Sequence, residues 1–339
     1  MIGSRRLHPA LSEITPSYPM QHFIPTLFLA LLLAGISPAD ELPGISKAGT
    51  PEDSGACSPF TGHLIQHSSK PLSMALWPAR KAPNGDGTFD QANATITIHQ
   101  PVHPNGVAAL ICPGGGYGGV VIGPEGHGIA KWLNTHGITG IVLQYRLPRG
   151  RSSVPLLDSQ RALRIARDRG VREWKGDPKR LGVIGFSAGG HLASTVATHF
   201  DDGDPAATSS IDRQSCRPDF AILVYPVITM GAQTHGGSRR NLLGASPSAE
   251  LVALYSNETQ VTSRTCPCFL AHARDDRLVA PENSRLFHAA LQISKVPSRY
   301  LELPSGGHGL NGYKGPMWDA WQRGSLAWLE KMKIIPAAQ

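Results

Sequence analysis

Residues 181–198 read LGVIGFSAGGHLASTVAT. The first six residues form an apolar run that predicts a buried strand, and the last eight predict a helix. Ser187 stands between them, with Gly185 two residues before it and Gly189 two residues after it. This Gly-x-Ser-x-Gly context between a strand and a helix is typical of a nucleophile elbow, in which small neighbours permit a sharp turn. The alternative is a glycine turn with no chemical role.

Apolar strands alternate with helical patterns on both sides of this stretch. We predict strands at 107–111, 138–144, 181–186, 220–225, 268–272 and 299–303. We predict helices at 125–136, 158–169, 188–199, 282–293 and 317–332. Asp158 is expected to be the N-cap of the second helix. The alternation predicts an α/β fold with a mainly parallel central sheet flanked by helices on both faces.

The chain has 339 residues, enough for one large domain with a full core. We place this domain at 71–335, with an insertion at 227–265 between two strands. An insertion at that position is suited to cover a substrate site. Residues 40–70 carry Gly, Pro and Ser without a period, which predicts a linker or arm.

The first part of the chain, 1–39, is typical of a targeting segment. Residues 23–36 are mostly apolar but too few to span a bilayer. Residues 37–39, Ser-Pro-Ala, offer small residues to signal peptidase. We therefore expect a signal peptide, a secreted or periplasmic protein, and no stable membrane span in the mature form. An uncleaved N-terminal anchor is the alternative, and Met20 is an alternative start.

An elbow serine needs a base and an acid, which follow it along the chain in the order Ser, Asp or Glu, His. His308 lies among glycines just after the last predicted strand, and we predict it as the base. His235 competes for this role but precedes the strand that carries the acid. Asp276 stands three residues before Val279 and is our predicted acid. Asp275 beside it is expected to order the turn.

A glycine-rich loop, 113–117, follows the strand predicted at 107–111. Backbone N–H groups at this position of such a fold bind the oxyanion that forms during acyl transfer. We predict Gly115, Gly116 and Ala188 as the donors. The loop is not a P-loop, since no Gly-Lys-Ser/Thr follows it.

Three further residues are candidates for lining an acyl or sugar pocket: Tyr117, Glu125 and His235. The alternatives are that Tyr117 packs beside the glycine-rich loop and that Glu125 caps the helix that follows it. A serine, a base, an acid and an oxyanion hole suffice for acyl transfer, so no metal or organic cofactor is expected.

The chain is basic, with a formal net charge of +7. Basic residues crowd one predicted helix at Arg161, Arg164, Arg167, Arg169 and Arg172. Such a cluster suits nucleic acid, but no aromatic residues interleave with it, so we favour the solvated face of a surface helix and expect no nucleic-acid partner. The acidic stretch 201–205 lacks the ligand ladder of an EF-hand and is interpreted as a solvated loop.

The five cysteines are an odd number, so at least one stays unpaired within the chain. Cys112 ends an apolar run and is predicted to be a buried thiol at a strand end. Cys266 and Cys268 are too close in sequence for a relaxed bond. Any other bridge is left open.

These motifs resemble those of a known group of esterases. The Pro-Gly-Gly-Gly-Tyr loop is similar to the His-Gly-Gly-Gly loop of the hormone-sensitive-lipase-like esterases, with Pro113 in place of the histidine. A closer resemblance is to the acetyl xylan esterase and bifunctional feruloyl/acetyl esterase (BD-FAE-like) branch of the α/β-hydrolases. Its recurring stretches correspond here to 143–148, 158–162, 185–193 and 275–279. The similarity runs from about 71 to 332, with a departure at 264–268, where relatives carry Thr-Pro-Pro.

The resemblance implies the α/β-hydrolase fold and a serine carboxylesterase that removes O-acetyl groups from xylan or a related plant polysaccharide through an acyl-enzyme on Ser187. The substrate would be a small ester or an acetylated polysaccharide. An arylformamidase or peptidase on the same scaffold, or a binding module without catalysis, are alternatives. A xylan-degrading glycosidase would need paired carboxylates, and Glu125, Glu302 and Asp319 share no motif.

Overall fold

A computed structural model of the chain describes residues 70–78, 82–83 and 94–336. The predicted signal peptide, nearly all of the predicted arm and Cys57 lie outside these residues. The strands are β1 Leu72–Ala75, β2 Thr95–His99, β3 Ala108–Cys112, β4 Thr139–Gln144, β5 Leu181–Phe186, β6 Ala221–Val224, β7 Cys268–Ala273 and β8 Ser298–Leu303. The helices are α1 Ile129–Asn134, α2 Ser153–Glu173, α3 Ser187–Thr198, α4 Gly236–Leu243, α5 Ala249–Leu254, α6 Glu282–Ile293, α7 Leu310–Tyr313 and α8 Gly315–Lys331.

The eight strands form one sheet in the order β1-β2-β4-β3-β5-β6-β7-β8. All pairs from β4 to β8 are parallel, whereas β1–β2 and β2–β4 are antiparallel. The predicted mainly parallel sheet is confirmed, and each of the six predicted strands is present. The two antiparallel strands at one edge were not predicted. β1 is four residues long and mostly exposed, whereas β2 alternates buried Ile96 and Ile98 with less buried threonines, a usable signal that the sequence analysis missed.

Helices cover both faces of the sheet, as predicted. All five residues of β3 are buried, with Leu110 in the core shared with α2, α3 and α6 and Ile111 in the core shared with α1 and α8. Burial on both faces explains why this strand reads as a continuous apolar run. The helix predicted at 125–136 divides into a π-helical turn, Gly123–Gly128, followed by α1.

Asp158 is not an N-cap, and this prediction was wrong. Helix α2 begins five residues earlier, at Ser153, and Asp158 lies inside it. Its carboxylate forms an ion pair with the Arg146 guanidinium at 2.7 Å, and both side chains are fully buried. The Trp77 indole N–H donates to the same carboxylate at 2.6 Å. A buried guanidinium requires such a partner, and this need determines the position of Asp158.

The basic and acidic stretches neutralise each other. Arginines of α2 and carboxylates before β6 form the ion pairs Arg161–Asp212, Arg164–Asp201 and Arg167–Asp219. The three arginine side chains are only 11–14% exposed. The interpretation of a solvated helix face is therefore wrong for these arginines, which hold the acidic loop against α2. Among the described residues, no cluster of three or more His, Cys, Asp or Glu could hold a metal ion.

The four described cysteines, Cys112, Cys216, Cys266 and Cys268, are buried free thiols. Cys112 ends β3, as predicted, and burial raises the pKa of its thiol well above the usual range. Within the part of the chain that the structure describes, no helix is both long and apolar enough to cross a bilayer.

Candidate active site

The elbow connects β5 directly to α3, with Ser187 as the first helical residue. Ser187 has a φ of 53°, in the left-handed region that side chains other than glycine rarely adopt. A Cβ at Gly185 would overlap the Gly189 carbonyl, and one at Gly189 would overlap the Cys112 carbonyl. Glycine is required on both sides of the serine because backbone approaches backbone there.

His308 lies between the serine and an aspartate. Its Nε2 is 2.9 Å from Ser187 Oγ, and its Nδ1 is 2.7 Å from Asp276 Oδ2. An ionised carboxylate only accepts, so Nδ1 carries the proton and Nε2 is free to accept from the serine hydroxyl. The structure thus brings together the three residues predicted as nucleophile, base and acid.

Asp276 is held in place by four donors. Its Oδ1 accepts the N–H groups of Leu278 and Val279 at 2.9 and 3.0 Å, and its Oδ2 accepts from His308. The fourth is His272, whose Nε2 lies 3.2 Å from the same Oδ2. Burial would raise the pKa of Asp276, but the hydrogen bonds from His272 and His308 outweigh it and hold that pKa well below its usual range. The carboxylate is therefore charged at neutral pH.

Asp275 has a different task in the same turn. Its carboxylate accepts the N–H groups of Gly307 at 2.8 Å and Gly306 at 3.3 Å. These glycines immediately precede His308. Asp275 therefore orders the loop that carries the histidine, whereas Asp276 contacts the imidazole itself.

The glycine-rich loop folds back on itself beside the elbow. Gly114 O accepts from Val121 N at 2.9 Å, and Gly115 O accepts from the N–H groups of Gly118 and Gly119 at 3.1 Å each. In a trans peptide the N–H points opposite to the C=O, so the N–H groups of Gly115 and Gly116 point out of this turn. Within the described residues these two groups have no hydrogen-bond partner.

The start of the loop is in contact with the serine. A Cβ at Gly114 would lie 2.9 Å from Ser187 Cβ. The third predicted donor, Ala188 N–H, is in the first turn of α3, where backbone N–H groups lack intrahelical partners. The three predicted donors therefore lie on two segments, the glycine-rich loop and the start of α3, that meet at Ser187.

Tyr117 is buried behind the glycine-rich loop and does not face an open pocket. Its ring is 2% exposed, and its hydroxyl donates to His191 Nδ1 at 2.9 Å. His191 Nε2 in turn donates to the Tyr255 carbonyl at 2.8 Å. Burial lowers the pKa of His191 to about 4, so the ring is neutral. The first alternative, packing beside the loop, describes the position of Tyr117.

Glu125 is also buried, at 2% exposure, and does not cap a helix. Its Oε2 accepts from Gly114 N at 2.7 Å and its Oε1 accepts from the Tyr225 hydroxyl at 3.0 Å. The Tyr313 side chain also favours the charged carboxylate. Burial raises the pKa of Glu125, although these hydrogen bonds oppose it. The carboxylate is engaged by protein donors rather than open to substrate.

The insertion borders the glycine-rich loop. Asn241 in α4 donates from Nδ2 to Gly116 O at 2.9 Å. His235 caps α4 by accepting Ser238 N–H on Nδ1 at 3.3 Å, and its Cε1 would lie 3.9 Å from a Cβ at Gly116. Because its Nδ1 is occupied and its ring is half-buried, His235 can offer Nε2–H to a bound molecule. Of the three candidate pocket residues, His235 alone is not fully buried.

Several residues of the site escaped the sequence analysis. Tyr225 follows β6 at the carboxyl end of a parallel strand, where site residues gather, and this position was a usable signal. Its ring lies 4.8 Å from that of His308. His272 is at the end of β7, so the same signal applied. Nothing in the local sequence marks Asn241, which reaches Gly116 from 125 residues away.

The chain is similar in sequence and structure to known proteins. The family model described as BD-FAE matches residues 124–291. A solved structure, the acetyl ester-xyloside bifunctional hydrolase from Caldicellulosiruptor lactoaceticus, is 37% identical with a TM-score of 0.73. The alignment covers 78% of this chain and 97% of that chain.

Two curated proteins are similar over about two thirds of this chain. The endo-1,4-beta-xylanase B of Butyrivibrio fibrisolvens is 37% identical over 228 residues, 66% of this chain and 35% of that protein. The acetylxylan esterase of Xylanibacter ruminicola is 35% identical over 225 residues, 65% of this chain and 44% of that protein. The chain thus spans less than half the length of both relatives.

Proposed function

Because the chain belongs to the BD-FAE family of α/β-hydrolase esterases, we propose that it is a serine carboxylesterase that removes O-acetyl groups from xylan or a related plant polysaccharide. The observation that carries this proposal is the Ser187–His308–Asp276 array, with contacts of 2.9 and 2.7 Å. A serine hydroxyl bonded to a histidine that an ionised carboxylate orients is the arrangement that acyl transfer to serine requires.

In the first half-reaction, Ser187 Oγ attacks the acetyl carbonyl carbon while His308 Nε2 takes the hydroxyl proton. The carbonyl electron pair moves to oxygen, where the N–H groups of Gly115, Gly116 and Ala188 stabilise it. The tetrahedral intermediate collapses by breaking the bond to the sugar oxygen, which receives the proton from His308. Asp276 stabilises the intervening imidazolium. An acetyl group remains on Ser187.

In the second half-reaction, water takes the place of the sugar hydroxyl. His308 accepts a proton from water, whose oxygen attacks the acetyl carbon, and the same donors hold the oxyanion. Collapse breaks the bond to Ser187 Oγ and returns the proton to it. Acetate leaves and the resting enzyme is restored, so the cycle consumes one water and needs no cofactor.

Two relatives support acetyl as the acyl group and xylan as its source. The solved relative is an acetyl ester-xyloside hydrolase and one curated relative is an acetylxylan esterase. Asn241 and His235 of the insertion border the loop at Gly116, so one wall of the site comes from 227–265. We further propose that the catalytic domain occupies 71–335 and that 1–39 directs secretion.

The experiment compares the wild-type protein with Ser187→Ala on 4-nitrophenyl acetate and on acetylated xylan. We expect acetate release from both substrates, and a loss of about 10⁵-fold or more in kcat for the variant, since no other group can form the acyl-enzyme. A matched Ser194→Ala variant, buried about two turns further along α3, should retain activity. Equal acetate release by wild type and Ser187→Ala would contradict the proposal.

The alternatives have their own outcomes in the same assay. Turnover of N-formyl or peptide substrates without ester hydrolysis would favour the arylformamidase or peptidase. Reducing sugar without acetate would favour the glycosidase. Its candidate Glu302, on strand β8, is bound by Arg274 and Arg285. Glu125 is bound by Gly114 N and the Tyr225 hydroxyl, so these two carboxylates are engaged by protein groups.

A further inference from the structure

We propose that Glu125 is a positioning residue. Its buried carboxylate fixes the glycine-rich loop 113–117, called the oxyanion loop from here on, relative to the loop that carries His308, and it favours the charged form of His308. This inference rests on the proposed function, because it assigns Glu125 a task in the reaction of Ser187. It concerns a residue that touches neither the serine nor the acyl group.

The first support is connectivity. Glu125 binds Gly114 N at 2.7 Å, which lies at the start of the oxyanion loop. It also accepts from the Tyr225 hydroxyl after β6 at 3.0 Å, and it interacts electrostatically with Tyr313, five residues after His308. One carboxylate thus joins three separate segments at the carboxyl edge of the sheet, and each segment supplies or supports a part of the site.

The second support is the character of the partners. A backbone N–H cannot accept, and the Tyr225 hydroxyl can donate, so two donors converge on Glu125, and the Tyr313 hydroxyl also favours its charged form. If Glu125 were protonated, its own O–H donor would face one of these donors and that hydrogen bond would be lost. The arrangement therefore suits an ionised carboxylate, despite the cost of burying its charge.

The third support is proximity to the histidine. The Tyr225 ring that donates to Glu125 also lies against the His308 ring, with centroids 4.8 Å apart. The charge of His308 stabilises the Glu125 carboxylate and opposes the rise in its pKa. By reciprocity the carboxylate stabilises the imidazolium that forms at each proton transfer. The other groups that face His308 are Asp276, Ser187 and, at longer range, His235.

The test measures kcat and KM on 4-nitrophenyl acetate across pH for wild type, Glu125→Gln and Tyr225→Phe. Gln keeps the shape and an acceptor for Gly114 but removes the charge. We expect Glu125→Gln to lower kcat by about 10- to 100-fold, comparable to partial loss of the oxyanion donors, with a KM change below about 3-fold. Without the negative charge the imidazolium is less stable, so the acidic limb of the pH profile should move to lower pH by about half a unit.

Tyr225→Phe removes one donor while leaving the carboxylate, and should lower kcat less than Glu125→Gln. The double variant should be less impaired than the product of the two single effects, since both act through one network. Asp219→Asn is the matched control. Its carboxylate accepts Leu181 N–H at 2.9 Å at the opposite edge of the sheet, so its kcat and acidic limb should equal those of wild type.

Glu125→Gln with wild-type kcat, or with reduced kcat but an unmoved acidic limb, would overturn the proposal. Thermal unfolding of each variant checks the fold, and if Glu125→Gln fails to fold, Tyr225→Phe and Tyr313→Phe are measured instead. Loss of activity in Ser187→Ala verifies the underlying mechanism separately. A wild type that hydrolyses 4-nitrophenyl acetate but not xylan acetate would refute the substrate and leave the role of Glu125 testable.

Discussion

Two buried carboxylates lie beneath this site, and they differ in almost every respect except burial. Asp276 contacts the imidazole of His308 directly at 2.7 Å, and its pKa is held well below the usual range. Glu125 contacts Gly114 and two tyrosines, and burial raises its pKa. The first carboxylate gains from ionisation in the folded state, whereas the second bears a cost for it.

The difference follows from the partners. Asp276 receives two backbone N–H groups and two histidines, and in the proposed reaction one of these histidines becomes a cation. Glu125 receives one backbone N–H and neutral hydroxyls. A charge that is directly paired is stabilised at rest, whereas a charge that is merely solvated by hydroxyls is available to stabilise a cation that appears nearby. We call the part of the site around His308 and Asp276 the histidine side, and the part around the glycine-rich loop and Glu125 the oxyanion side. The first is stabilised by direct charge pairing, and the second by neutral hydrogen-bond donors.

The largest expected loss of kcat comes from replacing the carboxylate that orients His308 on the histidine side. Asp276→Asn should lower kcat by about 10⁴-fold, since an amide can present a donor to Nδ1 and favour the wrong tautomer of His308. Asp275→Asn should cost far less, about 10-fold, because it loosens only the N–H contacts of Gly306 and Gly307. Steady-state kinetics on 4-nitrophenyl acetate measure both. The reverse ranking would mean that Asp275 is the acid.

A smaller effect is expected on the oxyanion side, from Asn241→Ala. The substitution removes the 2.9 Å bond to Gly116 O and so loosens the loop only in part, because the contacts of Gly115, Tyr117 and Glu125 remain. We expect kcat to fall by about 5- to 20-fold, in line with the loss of one hydrogen bond that orients a donor, with little change in unfolding temperature. The neighbouring substitution Arg240→Ala, at an exposed position of the same helix, is the control. Unchanged kcat in Asn241→Ala would show that the loop holds its shape without the insertion.

The histidine side could be predicted from the sequence more completely than the contacts that support the oxyanion side. Ser187, Asp276 and His308 each follow a strand in a fixed order along the chain, so periodicity and spacing suffice to bring them to one edge of the sheet. The oxyanion loop itself was predicted for the same reason. Its supports were predicted only in part. Packing of Tyr117 beside the loop was one of two alternatives, whereas the contacts of Glu125 and Asn241 with the loop were not predicted, because they act across 11 and 125 residues and no local pattern encodes them. Asp158 was misassigned for a related reason, since its partner Arg146 lies on another element.

The smallest effect concerns stability and separates the two carboxylates by sign. Asp276 has a lowered pKa in the folded state, so it contributes stability above its unfolded pKa near 3.9 that is lost as pH falls toward the folded pKa. Glu125 has a raised pKa, so the folded state is favoured below its unfolded pKa near 4.3, and that contribution is lost as pH rises through the folded pKa.

Unfolding temperatures of Asp276→Asn and Glu125→Gln between about pH 2 and 8 should therefore diverge from wild type in opposite directions, since this range extends below the unfolded pKa of Asp276, where its contribution is lost. Asp276→Asn should be less stable at pH 7, with the deficit shrinking on acidification. Glu125→Gln should equal or exceed wild type at pH 7 by about 1 to 4 °C, with the gain vanishing near pH 4. Parallel curves for the two variants would mean that both carboxylates are stabilised alike by their surroundings, and that the charge of Glu125 is not held against a cost.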